Sequence, residues 1–307
     1  MQKTWHWFWF KLIDARQYAT LRILIGSFSG IYFSELLPYI DSQFSHTGWL
    51  SNRQQITNQN GGSWSVFFID LDWQPNIIAN IILGIGIVAA FLMMIGWKSR
   101  VSTFITWLIW VSLWNRNPLI LDGDDAILKI MCFYLMLAPC GNAWSVDAHL
   151  YKTHQQVIVW PLRLIQFQIA LVYFVSGWVK LHSLEWDNGS IMEYVLIHPE
   201  YSRWNGWLLM DSALVKQLLA ILAWFIRDWE LLFPILLLNR YTRRLSIIIG
   251  LLFHTGLLLT LHLRWFPVVM LATYPALISN SFFIRIEKKY LQLDKNQKSI
   301  KQIIKHS

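Results

Sequence analysis

The sequence predicts an all-α protein: a polytopic helical bundle in a membrane, with about eight spans and both termini cytoplasmic. Three observations predict it. Apolar residues make up 55% of the 307-residue chain and charged residues only 14%, with 19 tryptophans and a mean hydropathy of +0.38. A typical soluble domain carries about 25% charged residues, and a chain of this size cannot hide so much apolar surface in its own interior. Apolar runs of about 20 residues recur along the chain. Its lysines and arginines also fall mainly on one side of the path that those runs trace.

The opening WHWFWF lacks a smooth apolar core and a small-residue cleavage site, so it is not a cleavable signal. Residues 1–16 read instead as an amphipathic segment lying in the interface. The membrane part follows over 17–282, with candidate spans at 18–37, 76–96, 101–121, 126–140, 158–179, 213–238, 245–263 and 265–282. The fourth is short and carries Lys129, which predicts a tilted helix or one packed inside the bundle. Residues 283–307 form a basic tail with Arg285, Lys288, Lys289, Lys295, Lys298, Lys301 and Lys305.

With an inside amino terminus, the inside segments collect that tail together with Lys3, Lys11, Arg16, Lys98, Arg100, Lys152, Arg240, Arg243 and Arg244. The outside loops keep only Arg53, Arg116, Lys180, Arg203 and Arg264, alongside most of the loop carboxylates. This is the positive-inside pattern, and it predicts a multi-pass protein of the plasma (inner) membrane. The net charge of +8 thus reflects orientation and contact with the lipid bilayer rather than nucleic acid. Cys132 and Cys140 offer neither a disulfide framework nor metal-ligand spacing. No zinc pattern, phosphate loop or nucleophile elbow is present.

Two outer segments, 38–75 and 180–212, are long and mix Trp, Gly and polar residues, as in HTGW, NGGSW and EWDNGS. Long loops of this kind are more often lids or re-entrant elements than idle connectors.

Ionisable residues within spans cost several kcal/mol unless paired or wet, so each is a site candidate. RDWE places Arg227 and Glu230 three apart on one helix face, where they can pair with each other and fix packing. Pro234, one turn later, favours a kink lining a cavity. His254 sits near the middle of the seventh span, either as a plain hydrogen-bonded imidazole or as a site residue. Arg22 and Arg163 suit structural or lipid-headgroup roles, since a guanidinium pairs bidentately with carboxylate or phosphate. In GDDAILK, Asp124 and Asp125 stand at the outer mouth of the fourth span, where Asp125 can serve as helix N-cap. Lys180 ends the fifth span after YFVSGWV. It can snorkel to the headgroups, or, partly desolvated, act as a general base. On straight helices Lys180 lies roughly 13 Å above His254, so a shared site requires a cleft or a re-entrant 180–212 loop.

The run QIALVYFVSGWVKLHSLEWDNGSIMEYV (Gln168–Val195) resembles the signature of vitamin K-dependent gamma-carboxylase and its bacterial relatives, the HTTM (horizontally transferred transmembrane) proteins. RILIGSFSGIY, AWSVDAHL, FHTGLLL and FPVVMLATYPALI extend the resemblance, in order, across residues 15–282. It implies that Lys180 is the base acting on a reduced quinone and that His254 shares the site. The carboxylases have Asn-His-Ser where this chain has Gly123, Asp124 and Asp125, so Asp124 takes the place of an active-site histidine. The large luminal domain that grips client propeptides is not matched here, so the HTTM branch, with its peptide-maturation factors, is the nearer likeness.

Together these readings predict a membrane enzyme that carries out base-assisted, quinol-linked modification of a small peptide or lipophilic substrate at the non-cytoplasmic face. Lys180, His254 and Asp124 would be catalytic, and Trp186, Glu230, Tyr173 and Arg227 would bind substrate. A non-catalytic membrane partner in peptide maturation or export is the alternative. A transporter is disfavoured because the two halves share no visible repeat.

Overall fold

A computed structural model describes residues 2–45, 48–50, 64–69, 75–120 and 122–285. Much of the 38–75 segment, including Asn60–Ser63 of NGGSW, and the basic tail beyond Arg285 lie outside the described residues. The chain opens with α1 (Gln2–Phe10), whose Trp5, Trp7 and Phe10 are exposed, as an interfacial helix requires. A short strand β1 (Leu12–Asp14) leads into α2 (Arg16–Leu36), then α3 (Ile40–Gln43), α4 (Pro75–Ile95), α5 (Ser99–Arg116), α6 (Gly123–Leu137) and α7 (Val146–Tyr151). Strand β2 (Gln156–Ile158) precedes α8 (Trp160–Leu181), α9 (Leu184–Asp187), α10 (Ile191–Ile197), α11 (Ala213–Leu236), α12 (Arg240–Thr260) and α13 (Phe266–Thr273).

The protein is therefore mostly helical, and four helical stretches are long and apolar enough to cross a membrane: Arg16–Gln43, Ile77–Ile95, Trp160–Leu181 and Arg240–Thr260. The others fall short for reasons visible in the sequence. α6 spans only 15 residues, and it packs inside the bundle by burying Ile127, Leu128, Met131 and Leu135. Its Lys129 ammonium rests 3.6 Å from the Trp114 ring centroid, a cation–π contact that tempers its desolvation. α11 is long enough, but Lys216, Arg227, Asp228 and Glu230 interrupt it. The run predicted over 265–282 breaks at Tyr274–Pro275, where a 3-10 turn replaces the α-helix; Pro275 has no N–H to offer the Leu271 carbonyl four residues back, and the Tyr274 N–H takes that carbonyl instead.

Two departures from an all-α bundle with an amphipathic segment over 1–16 are local. The opening helix stops at Phe10, and Leu12–Asp14 pairs antiparallel with Gln156–Ile158. Three-residue strands are too short for a two-residue periodicity to register in the sequence.

Close crossings set the bundle. At Gly26 an added β-carbon would lie 2.9 Å from the Met94 nitrogen on α4; at Gly177 it would lie 2.5 Å from the Leu231 nitrogen on α11. Glycine is needed at both places because backbones meet there without side chains between them. Helix ends then sort onto two faces. One gathers Arg22 with the Trp144 carbonyl at 2.6 Å, Lys98 with Asp147, and Gln17 with the Pro275 and Ile278 carbonyls. The other gathers Arg116 with the Ser45 carbonyl, Glu35 with Trp265, and the 180–212 segment with the end of α12.

Candidate functional site

The site grows from the α8–α11 crossing. Gly177 lets α11 approach so closely that Lys180, one turn on, meets Glu230 in an ion pair. The pair is desolvated, with the Lys180 side chain 17% exposed and that of Glu230 only 4%. The ammonium also donates to Ser176 Oγ at 3.1 Å and lies 4.7 Å from the Trp186 ring centroid. Lys180 thus points back along its own helix instead of out to the headgroups. Side chains on an α-helix lean toward its N-terminus, so a lysine at the C-terminal end of α8 is aimed into the bundle. This inward lean answers the depth difference expected between Lys180 and His254.

The remaining gap is filled by Tyr173, two turns below Lys180 on the same helix. Its hydroxyl lies 2.6 Å from His254 Nε2 and 2.6 Å from the Tyr274 hydroxyl. Its ring stacks on Phe233 with centroids 4.1 Å apart. Gly250 makes this network possible, since a β-carbon there would overlap the Tyr274 hydroxyl. His254 is 1% exposed, and its Nδ1 has no hydrogen-bond partner among the described residues.

Both networks open onto one cavity of about 280 Å³, lined by Tyr173, Ser176, Lys180, Trp186, Glu230 and His254 among otherwise apolar side chains. The 180–212 segment roofs it: α10 supplies Ile191, Met192 and Val195, and Tyr201 joins them. That roof is tied down at several points. Trp224 Nε1 donates to the Asp187 carbonyl, Arg203 Nε to the Leu261 carbonyl, and Trp204 Nε1 to the Leu259 carbonyl. Behind Met192, Val195, Phe253, Leu257 and Leu261, which border both spaces, lies a second, almost wholly apolar cleft of about 460 Å³ between α11 and α12.

Of the residues singled out in the sequence, Lys180, His254, Trp186, Glu230 and Tyr173 meet at this cavity. Arg227 and Asp124 do not line it. Arg227 leaves Glu230 to Lys180 and contacts Asp187 at 3.7 Å and Asp228 at 2.8 Å. The facing helix supplies a lysine that is already beside Glu230, so the pairing expected within RDWE does not form. Asp124 is buried in the first turn of α6. There Asp122, not Asp125, is the N-cap, and Asp125 completes the capping box from N3 by accepting from the Asp122 N–H at 2.6 Å. Pro234 lines neither space; it sits in the last turn of α11, where the carbonyl it frees is that of Glu230 by the four-residue spacing. Sequence reasoning missed Ser176, Gly177, Gly250 and Tyr274. Only the small-residue positions at 177 and 250 signalled close approach.

The family match decides what kind of protein holds this site. Residues 10–282 match the HTTM domain. The chain belongs to the HTTM family. This membrane-protein assignment agrees with its four long apolar helices. Among curated proteins, this HTTM protein is similar to the uncharacterized protein YitO of Bacillus subtilis (strain 168), 25% identical over 206 residues. That alignment covers 63% of this chain and 65% of YitO, so the chain spans slightly less than two thirds of the relative's length. No solved structure matches.

Proposed function

We propose that this HTTM protein is an integral membrane enzyme that uses Lys180 as a base toward a lipophilic or peptide substrate at the non-cytoplasmic face of the plasma membrane. The observation that carries this reading is the inward turn of Lys180 onto Glu230, at the edge of a cavity it shares with His254. A proton passed from Lys180 to Glu230 leaves a free amine without changing the net charge of the pair, so no unpaired charge is stranded in a dry site. The amine then takes a proton from an acidic hydroxyl, and the ammonium so formed offsets the substrate anion. Tyr173 fixes the imidazole through Nε2, so that a substrate group would meet His254 at Nδ1, which is buried and unpartnered among the described residues, only once the side chains around it shift. Trp186 walls the lysine from water.

A reduced quinone suits these two spaces: Lys180, Glu230 and His254 would hold its ring hydroxyls, and the apolar cleft would take its prenyl chain. When bound, a quinol supplies a ring whose oxidation can drive a difficult deprotonation. The two volumes together fall in the range of small-molecule sites, roughly 300–1,000 Å³.

Eight crossings with both termini cytoplasmic are part of the same proposal. Support comes from the alternation of helix ends between two faces and from the basic residues on the face that holds α1 and β1. A cysteine at Ser190 is then labelled by an impermeant thiol reagent from outside, and one at Leu150 is not; the reverse pattern overturns the orientation.

A second reading, a non-catalytic membrane partner in peptide maturation or export, is favoured by one observation. Lys180 is already fully paired, as a packing lysine would be. Mass spectrometry of a reduced naphthoquinone incubated with the purified protein under oxygen separates the two. An oxygenated product formed by intact protein and absent with Lys180→Met supports the enzyme. Equal outcomes leave the partner role.

A further inference from the structure

On the face opposite the cavity, cations gather with no carboxylate among the described residues to answer them. Phe8 of α1 lies under the Arg163 guanidinium, with the ring centroid 4.5 Å from Cζ. The chain leaving α1 brings Lys11 alongside the start of α8, where the Val159 N–H donates to the Lys11 carbonyl at 3.1 Å. The Lys11 ammonium sits 4.2 Å from the Trp7 ring centroid. Burial, then the charges of Arg163 and Arg243, push that ammonium below its ordinary pKa. No described carboxylate pairs with Lys11, Arg163 or Arg243; the nearby Asp14 is engaged by Arg16.

The helices sharpen the imbalance. Arg163 and Arg243 occupy the first turns of α8 and α12, and neither first turn holds an acidic residue. A helix N-terminus already carries partial positive charge, so cations there repel it and an anion is welcome. Existing partners do not supply one. Arg163 uses Nη1 on Gln166 at 2.8 Å, and its Nε is buried without a partner among the described residues. Arg243 uses Nε and Nη2 on the Leu237 carbonyl, at 2.9 and 2.7 Å. Beside the cluster, Trp5, Trp7, Phe10 and Tyr241 present exposed aromatic surface, the kind that settles at the headgroup level.

We infer that Lys11, Arg163 and Arg243 form a binding site for the phosphate of an anionic glycerophospholipid, whose acyl chains lie against the aromatic face of α1. The three cations come from three separate stretches of the chain, the link after α1 and the starts of α8 and α12, so the bound lipid clamps α1 to those two helices. Surface cations each strengthen contact with anionic lipid by about fivefold, so the triple change to glutamine weakens it by about a hundredfold.

The test is native mass spectrometry of the full-length protein, exchanged from detergent into micelles containing either phosphatidylglycerol or phosphatidylcholine. Retained phosphatidylglycerol adducts on intact protein are expected, reduced about fivefold by Arg163→Gln or Arg243→Gln and unchanged by Arg100→Gln, an exposed cation on the same face. Millimolar inorganic phosphate separates sources: displacement of the lipid by phosphate alone means that a free anion, not a lipid, is the occupant. Equal retention of the two lipids, or equal loss with Arg100→Gln, overturns the proposal. Should the triple variant fail to fold, the single variants still decide it, because each keeps two cations and every interhelical crossing.

Discussion

The two halves of the bundle handle buried charge in opposite ways. The most apolar stretches of Arg16–Gln43 and Ile77–Ile95 in the first half are 39% buried, those of Trp160–Leu181 and Arg240–Thr260 in the second 28% and 17%. Arg22 and Arg116 of the first half end on main-chain carbonyls, of Trp144 and Ser45; Arg16 there does pair with a carboxylate, but with Asp14 two positions away along the chain rather than across two helices. Their surroundings are filled, as where Trp110 packs on Tyr32 and Phe33 and donates to Ser29 Oγ at 2.9 Å. In the second half Lys180 ends on a side-chain carboxylate beside an open cavity. A carbonyl partner cannot accept a proton and a carboxylate can, so the first arrangement holds structure and the second can do chemistry. Buried ionisable groups in a membrane protein are therefore not equivalent; what they touch, and whether space adjoins them, sorts them.

The largest expected effect tests that sorting directly. Glu230→Leu strands the Lys180 ammonium in a dry site and lowers stability by about 3–5 kcal/mol. Adding Lys180→Met restores most of it, because an apolar pair of similar volume carries no desolvation cost. Arg22→Met leaves no counter-charge behind and costs less than Glu230→Leu. Thermal unfolding in detergent micelles measures all three. A Glu230→Leu effect no larger than that of Arg22→Met would erase the distinction between the halves.

Next in size are the two glycine crossings. Gly26→Val and Gly177→Val each force apart backbones in contact, and each lowers stability by about 1–3 kcal/mol. They diverge in a second measurement. Only Gly177→Val separates Lys180 from Glu230, so only it abolishes quenching of tryptophan fluorescence by an added short-chain naphthohydroquinone. Equal loss in both variants would mean that the cavity depends on the whole bundle rather than on the α8–α11 crossing.

Tyr173→Phe comes third. It removes the hydroxyl that joins His254 to Tyr274 and leaves buried polar atoms without partners, a cost of about 1–3 kcal/mol. The probe should still bind, since Lys180 and Glu230 are untouched, but with the imidazole no longer fixed its turnover should fall. Unchanged turnover would remove His254 from the site while leaving the lysine in place.

How much of this was legible in the sequence depends on distance along the chain. Lys180 and Trp186 sit within one continuous motif, and both reach the cavity. His254 stood out because a lone imidazole in an apolar span has few reasons to be there. The Lys180–Glu230 pair was not legible, since its members are fifty positions apart and Arg227 offered a nearer partner on paper. Tyr274 was hidden in a run that reads as one more apolar span and shows its break only at Pro275. The β1–β2 pair was too short to leave a pattern. Most of the helices, by contrast, were within reach, because apolar runs are local.

Asp124 provides the smallest expected effect and the sharpest use of the comparison. The resemblance put Asp124 in the place of an active-site histidine, yet it is buried in the first turn of α6, in the closely packed half, and does not line the cavity. An aspartate there interacts favourably with the positive end of the helix, worth roughly 0.3–1 kcal/mol. Asp124→Asn keeps the shape and removes only the charge. One of its oxygens lacks a hydrogen-bond partner among the described residues, so the change also relieves part of a burial cost, and the two effects oppose each other. Stability should shift by no more than about 1 kcal/mol, and binding of the naphthohydroquinone should be unchanged. A loss of turnover as large as that from Lys180→Met would place Asp124 in the chemistry, and would mean that the cavity extends to the α6 mouth when substrate is bound. An effect confined to stability leaves the chemistry with the second half alone, where Lys180 faces a carboxylate and an open space.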